Sequence, residues 1–311
     1  MTHTVLVTGA TGYLGKHLVP RLRDLGFDVH ISNTTQANLL EIENLNVFDD
    51  QKFDYIFHLA ALAKAGDYCL THSGEQWEVN QIINSNILKY WCKHQPQAKI
   101  ICMGTSCSYA VDAHLMDDGL CENNYLLGEP EEGLYTYAMT KRMLLVGLKA
   151  YQKQYGLKWS YFIPSTLYGP NFDINDTHFI FDLIKKIYAG KYHNAKVELW
   201  GDGFQRRELV YIDDAVDAMI KLLNVDNKIF NIGSGQDYSI RDFAQKLCYI
   251  FEYEHDKISY DISKYVGVRE KRLNVEKVKK YIPNMDWTSL DDGIKKAVEY
   301  YVKEKSTSNW R

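Results

Sequence analysis

Along the chain, short apolar runs bounded by turn residues alternate with longer stretches whose apolar positions recur at helical spacing. The short runs at Thr4–Thr8, 27–31, 55–59, 100–103 and Trp159–Pro164 read as buried strands. Between them, 14–25, 77–94 and 137–155 repeat apolar residues at the interval of one helix face. This alternation predicts the α/β class, a parallel sheet with helices on both faces. Beyond Pro164 the pattern turns irregular: a Tyr168-Gly169-Pro170-Asn171 turn, a helix over 178–189, a strand at Val197–Trp200 and a Gly201-Asp202-Gly203 turn. Apolar pieces at 209–212 and 229–232 are expected to return to the main sheet. The expected division is a main domain over 1–165, with returns near 205–232, and a smaller lobe mainly over 166–311. That lobe would cap the sheet's C-terminal edge, where open α/β sheets bind ligands.

Composition narrows the field. A chain of 311 residues buries a large core without disulfides or metals. A formal net charge of −4 with no basic stripe excludes nucleic acid as a partner. Cys69, Cys92, Cys102, Cys107, Cys121 and Cys248 form no Cys-x-x-Cys pair, so no metal or redox centre is expected. No apolar run approaches the roughly 20 residues that span a bilayer. The first residues enter a strand without a charged leader. The expectation is a soluble, cytoplasmic protein with no membrane partner, frayed over 306–311.

The strand at Thr4–Thr8 runs into Gly9-Ala10-Thr11-Gly12-Tyr13-Leu14-Gly15, followed by Leu18, Leu22 and Leu25 at helical spacing. Gly9 suits the tight turn, Gly12 the close approach of a pyrophosphate, and Gly15 close helix–strand packing. The helix N-terminus offers amide donors and a positive dipole end to phosphate. Strand, glycine trio and helix in this order predict a nicotinamide dinucleotide and a Rossmann-type, doubly wound sheet. The second strand ends in Ser32-Asn33-Thr34, with neither a carboxylate for a ribose hydroxyl nor an arginine for a 2′-phosphate. Ser32, Asn33 and Thr34 can donate to a phosphate, which favours NADP(H) and leaves NAD(H) open.

Tyr137 and Lys141, one helical turn apart, share a helix face downstream of Thr105-Ser106. The ammonium is expected to draw the phenol's proton affinity down toward the physiological range. With a hydroxyl from Thr105 or Ser106, the pair forms a proton-donating device for a carbonyl that accepts hydride. Arg207 suits bidentate contact with a pyrophosphate, and its neighbour Arg206 reads as a solvated charge.

Several motifs together resemble the extended short-chain dehydrogenases/reductases that act on nucleotide sugars. They are Thr8-Gly-x-x-Gly-x-x-Gly15, Asp54-x-x-x-His58-Leu59-Ala60-Ala61, the Asn80/Asn86 pair, Tyr137-x-x-x-Lys141 and Tyr168-Gly169-Pro170. Within these, Gly104-Thr105-Ser106-Cys107-Ser108-Tyr109 is similar to the Gly-Ser-Ser-Cys-x-Tyr of GDP-L-fucose synthases. Pro164-Ser165-Thr166-Leu167-Tyr168-Gly169-Pro170, His178 and Trp200-Gly201-Asp202-Gly203…Arg207-Glu208-Leu209…Asp213-Asp214 also resemble that family. The chain departs from it at Thr105, for a serine, and at Ala110, for a proline. It departs also at Thr11 and Thr34, where arginines often hold an NADP 2′-phosphate.

The resemblance implies that Thr11, Tyr13, Leu14, Leu59, Ala60, Ala61, Pro164, Leu167 and His178 line the cofactor beside Tyr137 and Lys141. It implies that Ser106, Cys107, Ser108, Asn171, Lys186, Trp200 and Arg207 line a GDP-sugar. Tyr137, Lys141, Thr105, Cys107 and His178 are then the catalytic residues. A 4-keto sugar carries acidified protons at C3 and C5, and inversion there needs a base on one ring face and an acid on the other. A thiol and an imidazole, with reference values near ~8.5 and ~6.5, suit that exchange. The helices at 80–94 and 137–155 resemble those of a homodimer interface; their internal faces carry Ile83, Ile87, Trp91, Leu144, Leu148 and Tyr151, which core packing explains equally well. Three readings stay open: a C4 reductase with or without C3/C5 epimerisation, an NAD-retaining nucleotide-sugar 4-epimerase, and a non-enzymatic dinucleotide sensor.

Overall fold

The chain's computed structural model describes residues 2–64, 67–112, 118–264 and 266–308. The strands are β1 (Thr4–Thr8), β2 (Asp28–Ser32), β3 (Tyr55–His58), β4 (Lys99–Met103), β5 (Trp159–Pro164) and β6 (Thr166–Tyr168). They continue as β7 (Val197–Trp200), β8 (Arg206–Tyr211), β9 (Lys228–Ile232), β10 (Asp237–Ser239) and β11 (Ile258–Asp261). The helices are α1 (Tyr13–Asp24), α2 (Asp67–Thr71), α3 (Ser73–His94), α4 (Tyr135–Tyr155) and α5 (Phe179–His193). Then come α6 (Ile212–Lys221), α7 (Ile240–Phe251), α8 (Glu276–Tyr281) and α9 (Leu290–Ser308).

The main sheet is parallel throughout, in the order β2-β1-β3-β4-β5-β9. The apolar runs explain it: β4 is buried along its whole length and β5 at all but its last residue, as strands covered on both faces must be. Because β2 and β3 flank β1 on opposite sides, the strand order reverses beside β1, and a crevice opens at the strands' C-terminal ends. A second apolar core, including Phe172, Phe181, Phe243, Leu247 and Tyr301, lies under the smaller sheets β10-β8-β6 and β11-β7.

The structure corrects the sequence reading in three places and decides a fourth. The piece at 229–232 joins the main sheet as β9, but 209–212 does not. Its strand, β8, pairs instead with β6, which resumes one residue after β5 and offers a nearer parallel edge. Helix α9 continues through Ser308, and 309–311 lie outside the described residues. Of the two readings left open for Ile87, Trp91, Leu144 and Leu148, core packing holds: all four are fully buried where α3 and α4 pack on the sheet. Arg206 is not a free surface charge: its guanidinium pairs with Asp237 at 3.1 Å.

The glycine turn is built as its spacing predicts. Gly9 has φ +68°, and a Cβ there would lie 2.6 Å from the Ala60 nitrogen just after β3. A Cβ on Gly15 would lie 2.4 Å from the Gly9 carbonyl oxygen, which is backbone and cannot rotate away. Gly15→Ala is therefore expected to destabilise the fold by about 1–3 kcal/mol. Gly74→Ala, in α3 with open space around it, should instead stabilise by about 0.4–1 kcal/mol. Urea unfolding of the two variants checks both signs.

Candidate active site

Each segment of the crevice leaves the C-terminal end of a parallel strand: the glycine turn after β1, Leu59-Ala60-Ala61 after β3, Gly104 to Ser108 after β4, and Ser165 after β5. The α1 N-terminus fits a pyrophosphate. Gly12 caps it without a side-chain acceptor and no acidic residue occupies the first turn, so its amide donors point outward unopposed. Leu59 N–H bonds the Thr8 carbonyl at 3.2 Å and Ala60 N–H reaches the Thr8 hydroxyl at 3.4 Å, which fixes the opposite wall.

Behind that wall a buried polar chain ties the strands to α4. His58 bonds the Thr8 hydroxyl at 2.9 Å and the Asn84 side-chain oxygen at 3.1 Å. Asn84 in turn donates to the Thr140 carbonyl at 3.5 Å. Burial pushes His58 down to about 4, so the imidazole stays neutral and acts as a strut. Asn80 bonds both polar groups of the Leu62 backbone and so shapes the loop after Ala61. Asn84, next to the expected Asn80/Asn86 pair, was missed, because nothing in the sequence says which asparagine meets His58.

At the end of β2 the structure corrects one expectation. Ser32 is buried and its hydroxyl donates to the Ala37 carbonyl at 2.8 Å, so it is not offered to a phosphate. The Asn33 side-chain oxygen accepts from the Thr35 and Gln36 N–H groups. Its amide nitrogen, with exposed Thr34 and Thr11, keeps the donors that suit a 2′-phosphate.

Tyr137 and Lys141 do share one face of α4, with the ammonium 5.8 Å from the phenol ring centroid. The electrostatics run opposite to expectation. Burial, with Cys107, Tyr125 and Cys69 nearby, pushes Tyr137 well above the ordinary phenol range. Burial also pushes Lys141 down to about 8, partly opposed by Cys102. Desolvation, not the pairing, dominates both groups. The result suits an acid, since Tyr137 keeps the proton that it would donate.

Thr105 caps a short 3-10 turn, Ser106–Ser108, and its hydroxyl oxygen accepts from the Cys107 N–H at 3.3 Å. That leaves the threonine O–H free to donate. Ser106 is buried. Ser108 is not a substrate contact: it is fully buried, its hydroxyl donates to the Ala138 carbonyl at 3.0 Å, and its own carbonyl accepts from Arg142 at 2.8 Å. It docks the turn onto α4.

His178 stands exposed at the N-terminus of α5, where Asp176 accepts from both its backbone N–H and its ring nitrogen, the latter at 2.6 Å. The Asp176 hydrogen bond, against burial, raises the His178 value above that of free imidazole, so the ring holds its proton further into the neutral range. Tyr13 of the glycine turn packs edge-on against Phe181 of the same helix. Asn171 is exposed in the left-handed region at φ +59°, turning the chain toward α5. Pro164 and Leu167 are partly exposed at the crevice. Lys186 pairs with Asp182 at 2.9 Å, Trp200 is half exposed beside Lys264, and Arg207 donates to the Val266 carbonyl at 2.9 Å.

One residue that sequence reasoning missed enters the site. Lys271 donates to the Cys107 sulfur at 3.3 Å across 164 positions of chain. Its segment is anchored by Glu208, whose carboxylate oxygens accept from the Leu273 and Gly235 N–H groups at 2.6 and 2.7 Å. Burial pushes Glu208 up to about 7 against those two donors. Only the Arg207-Glu208 motif hinted that something was being held.

A profile of the NAD dependent epimerase/dehydratase family matches residues 5–233. The chain is 29% identical to a GDP-L-colitose synthase of Yersinia pseudotuberculosis, over 97% of this chain and 99% of that one. In structure it resembles a GDP-6-OMe-4-keto-L-xylo-heptose reductase from C. jejuni, with TM-score 0.86, 21% identity and coverage of 97% and 98%. It also resembles a GDP-L-fucose synthetase from Naegleria fowleri bound to NADP, with TM-score 0.86, 21% identity and coverage of 99% and 97%.

The buried Lys141 gives a signed prediction. Its folded value of about 8 lies below the 10.5 of a free lysine, so the unfolded chain binds the extra proton between those values. The contribution of Lys141 to stability should therefore rise as pH climbs from about 8 toward 10.5. Lys141→Met should remove that rise and stabilise the protein at neutral pH by roughly 1–3 kcal/mol while abolishing activity. Thermal unfolding across pH, for both proteins, checks this.

Proposed function

The chain belongs to the NAD dependent epimerase/dehydratase family, NAD(P)-dependent enzymes of nucleotide sugars, and from that premise we propose an NADPH-dependent C4 reductase of a GDP-linked 4-keto sugar. The sugar is a 6-deoxyhexose or a heptose, and epimerisation at C3 and C5 precedes reduction. The observation that carries the reading is the approach of Tyr137 on α4 to Thr105 and Cys107 in the turn after β4, beside a glycine turn that fits a pyrophosphate. The GDP-sugars in the names of the full-length relatives support the substrate class. An NADP-bound neighbour and the donors at Asn33, Thr34 and Thr11 support NADP(H) over NAD(H).

NADPH, when bound, supplies the hydride that adds to C4. Gly9, Gly12 and the first-turn amides of α1 hold the pyrophosphate, and Lys141 reaches the ribose. Tyr137 gives its phenolic proton to the C4 oxygen while the Thr105 hydroxyl donates to that oxygen as charge develops. For epimerisation, Cys107 takes the carbon-bound proton on one face, and protonated His178, held so by Asp176, returns one on the other. Arg207, Trp200 and Lys186 contact the nucleotide diphosphate, and the lobe over 166–311 receives the sugar nucleotide. The location is the cytoplasm.

The test supplies GDP-4-keto-6-deoxymannose in deuterated water and follows NADPH absorbance with deuterium at C3 and C5. NADPH loss with solvent deuterium in the product is expected. Tyr137→Phe should slow reduction by about 100-fold or more. Cys107→Ser should remove deuterium incorporation but spare reduction of an already epimerised ketone. Unchanged NADPH oxidation in Tyr137→Phe would reject the proton donor. Interconversion of a UDP-sugar, with no net NADPH loss, would replace the reading with a 4-epimerase.

We also propose a homodimer through the outer faces of α3 and α4. Trp77, Met143 and Val146 are 53%, 47% and 42% exposed there, an apolar surface that a second copy would cover. Sedimentation should give a dimer, and Met143→Glu with Val146→Glu a monomer. A monomeric wild type rejects the interface.

A further inference from the structure

The reduction chemistry leaves Lys271 unused. Its ammonium hydrogen-bonds the Cys107 thiol at 3.3 Å and, among the described residues, pairs with no carboxylate. The lysine is not a loose surface side chain reaching inward by chance. On one side its segment runs along β8: the Arg206 N–H bonds the Arg269 carbonyl at 2.7 Å and the Glu208 N–H bonds the Lys271 carbonyl at 3.2 Å. On the other side the Leu120 N–H bonds the Arg272 carbonyl at 2.8 Å and the Asn274 N–H returns to the Leu120 carbonyl at 3.0 Å. The Glu208 carboxylate closes the clamp at Leu273, which is buried. Cys107 is equally fixed, since its turn is capped by Thr105 and docked on α4 through Ser108.

We propose that Lys271 is a positioning residue for Cys107, holding the sulfur by this hydrogen bond and supplying the counter-charge of its thiolate form. The inference rests on the epimerisation reading for its role in turnover. In that step the thiolate takes the proton from C3 or C5, so an S–H bond forms as the C–H bond breaks. The electron pair passes to the C4 oxygen as an enolate, and His178 returns a proton to carbon on the opposite face. A thiolate in a partly buried turn needs a cation, because desolvation otherwise disfavours its charge. Tyr137 and Cys69 also lie within electrostatic reach of Cys107, and burial pushes both up, so neither carries charge near neutrality. Among the described residues, Lys271 is the cation hydrogen-bonded to the sulfur.

The test is iodoacetamide alkylation of Cys107, followed peptide by peptide in the intact protein without substrate, with the other five cysteines as internal references. Lys271→Met should slow alkylation of Cys107 by about tenfold near neutral pH, the effect of losing one charge-assisted hydrogen bond to the sulfur. Lys271→Arg should keep most of the rate. Well above the ~8.5 reference value of a free thiol, the Lys271→Met and wild-type rates should converge. A wild-type rate in Lys271→Met near neutrality overturns the proposal. So does a deficit that persists undiminished at high pH, since that would report access and not charge. Deuterium incorporation in the wild type separates the two readings. An alkylation response without C3 or C5 exchange would sink epimerisation alone, and exchange with unresponsive alkylation would sink the Lys271 role alone.

Discussion

Parallel strands all end at the same edge, and the site depends on that constraint. The turns after β1, β3, β4 and β5 must emerge together, and the reversal of strand order beside β1 opens the gap that they line. Gly9 can abut Leu59 and Ala60 only because Thr8 is in register with His58. The polar chain from Thr8 through His58 and Asn84 to Thr140 then carries that register to α4, one residue before Lys141. The glycine turn and the helix that carries Tyr137 are thus positioned by one buried network and not by independent loops.

Burial sets the chemistry within this frame. A lysine one turn from a phenol suggested mutual stabilisation of charge, yet desolvation by burial is the largest influence on both groups. The site keeps Tyr137 protonated and holds Lys141 near its point of neutralisation, an arrangement costly to the fold and useful to an acid. Exposed His178 behaves differently. There a single carboxylate decides the direction of the shift, because solvent relieves part of the burial.

Much of this was legible in the sequence, for identifiable reasons. Strand boundaries matched within a residue or so because the runs at β1, β3, β4 and β5 are short and apolar, and the glycine trio has few alternative uses. The helix α7 was not read, although its cap was visible: Ser239 and Asp242 form a reciprocal capping box ahead of Ile240, Phe243, Ala244 and Leu247. The placement of β8 was misread because a short apolar piece does not name its partner strand. Ser32 reads as a phosphate donor because it ends the second strand, and Ser108 as a ligand contact through the resemblance of its motif. Only the folded chain shows them donating to the Ala37 and Ala138 carbonyls.

Lys271 shows where sequence reading ends. Its meaning depends on a contact across 164 positions, made possible by a clamp whose parts lie on β8, at Leu120 and at Gly235. Glu208 sits at the centre of that clamp. Its two oxygens are fully used by backbone N–H groups, and a Cβ on Gly233 would lie 2.1 Å from one of them. A buried carboxyl pushed up to about 7 is expensive, and what it holds is the segment that delivers an ammonium to Cys107. The segment around Lys271 therefore completes the polar surroundings of a turn that belongs to the main sheet. A shift of that segment would alter the thiol before it altered the phenol, since Tyr137 and Lys141 are held from α3 and the sheet. Epimerisation and reduction, if performed in one crevice, would thus be separately adjustable.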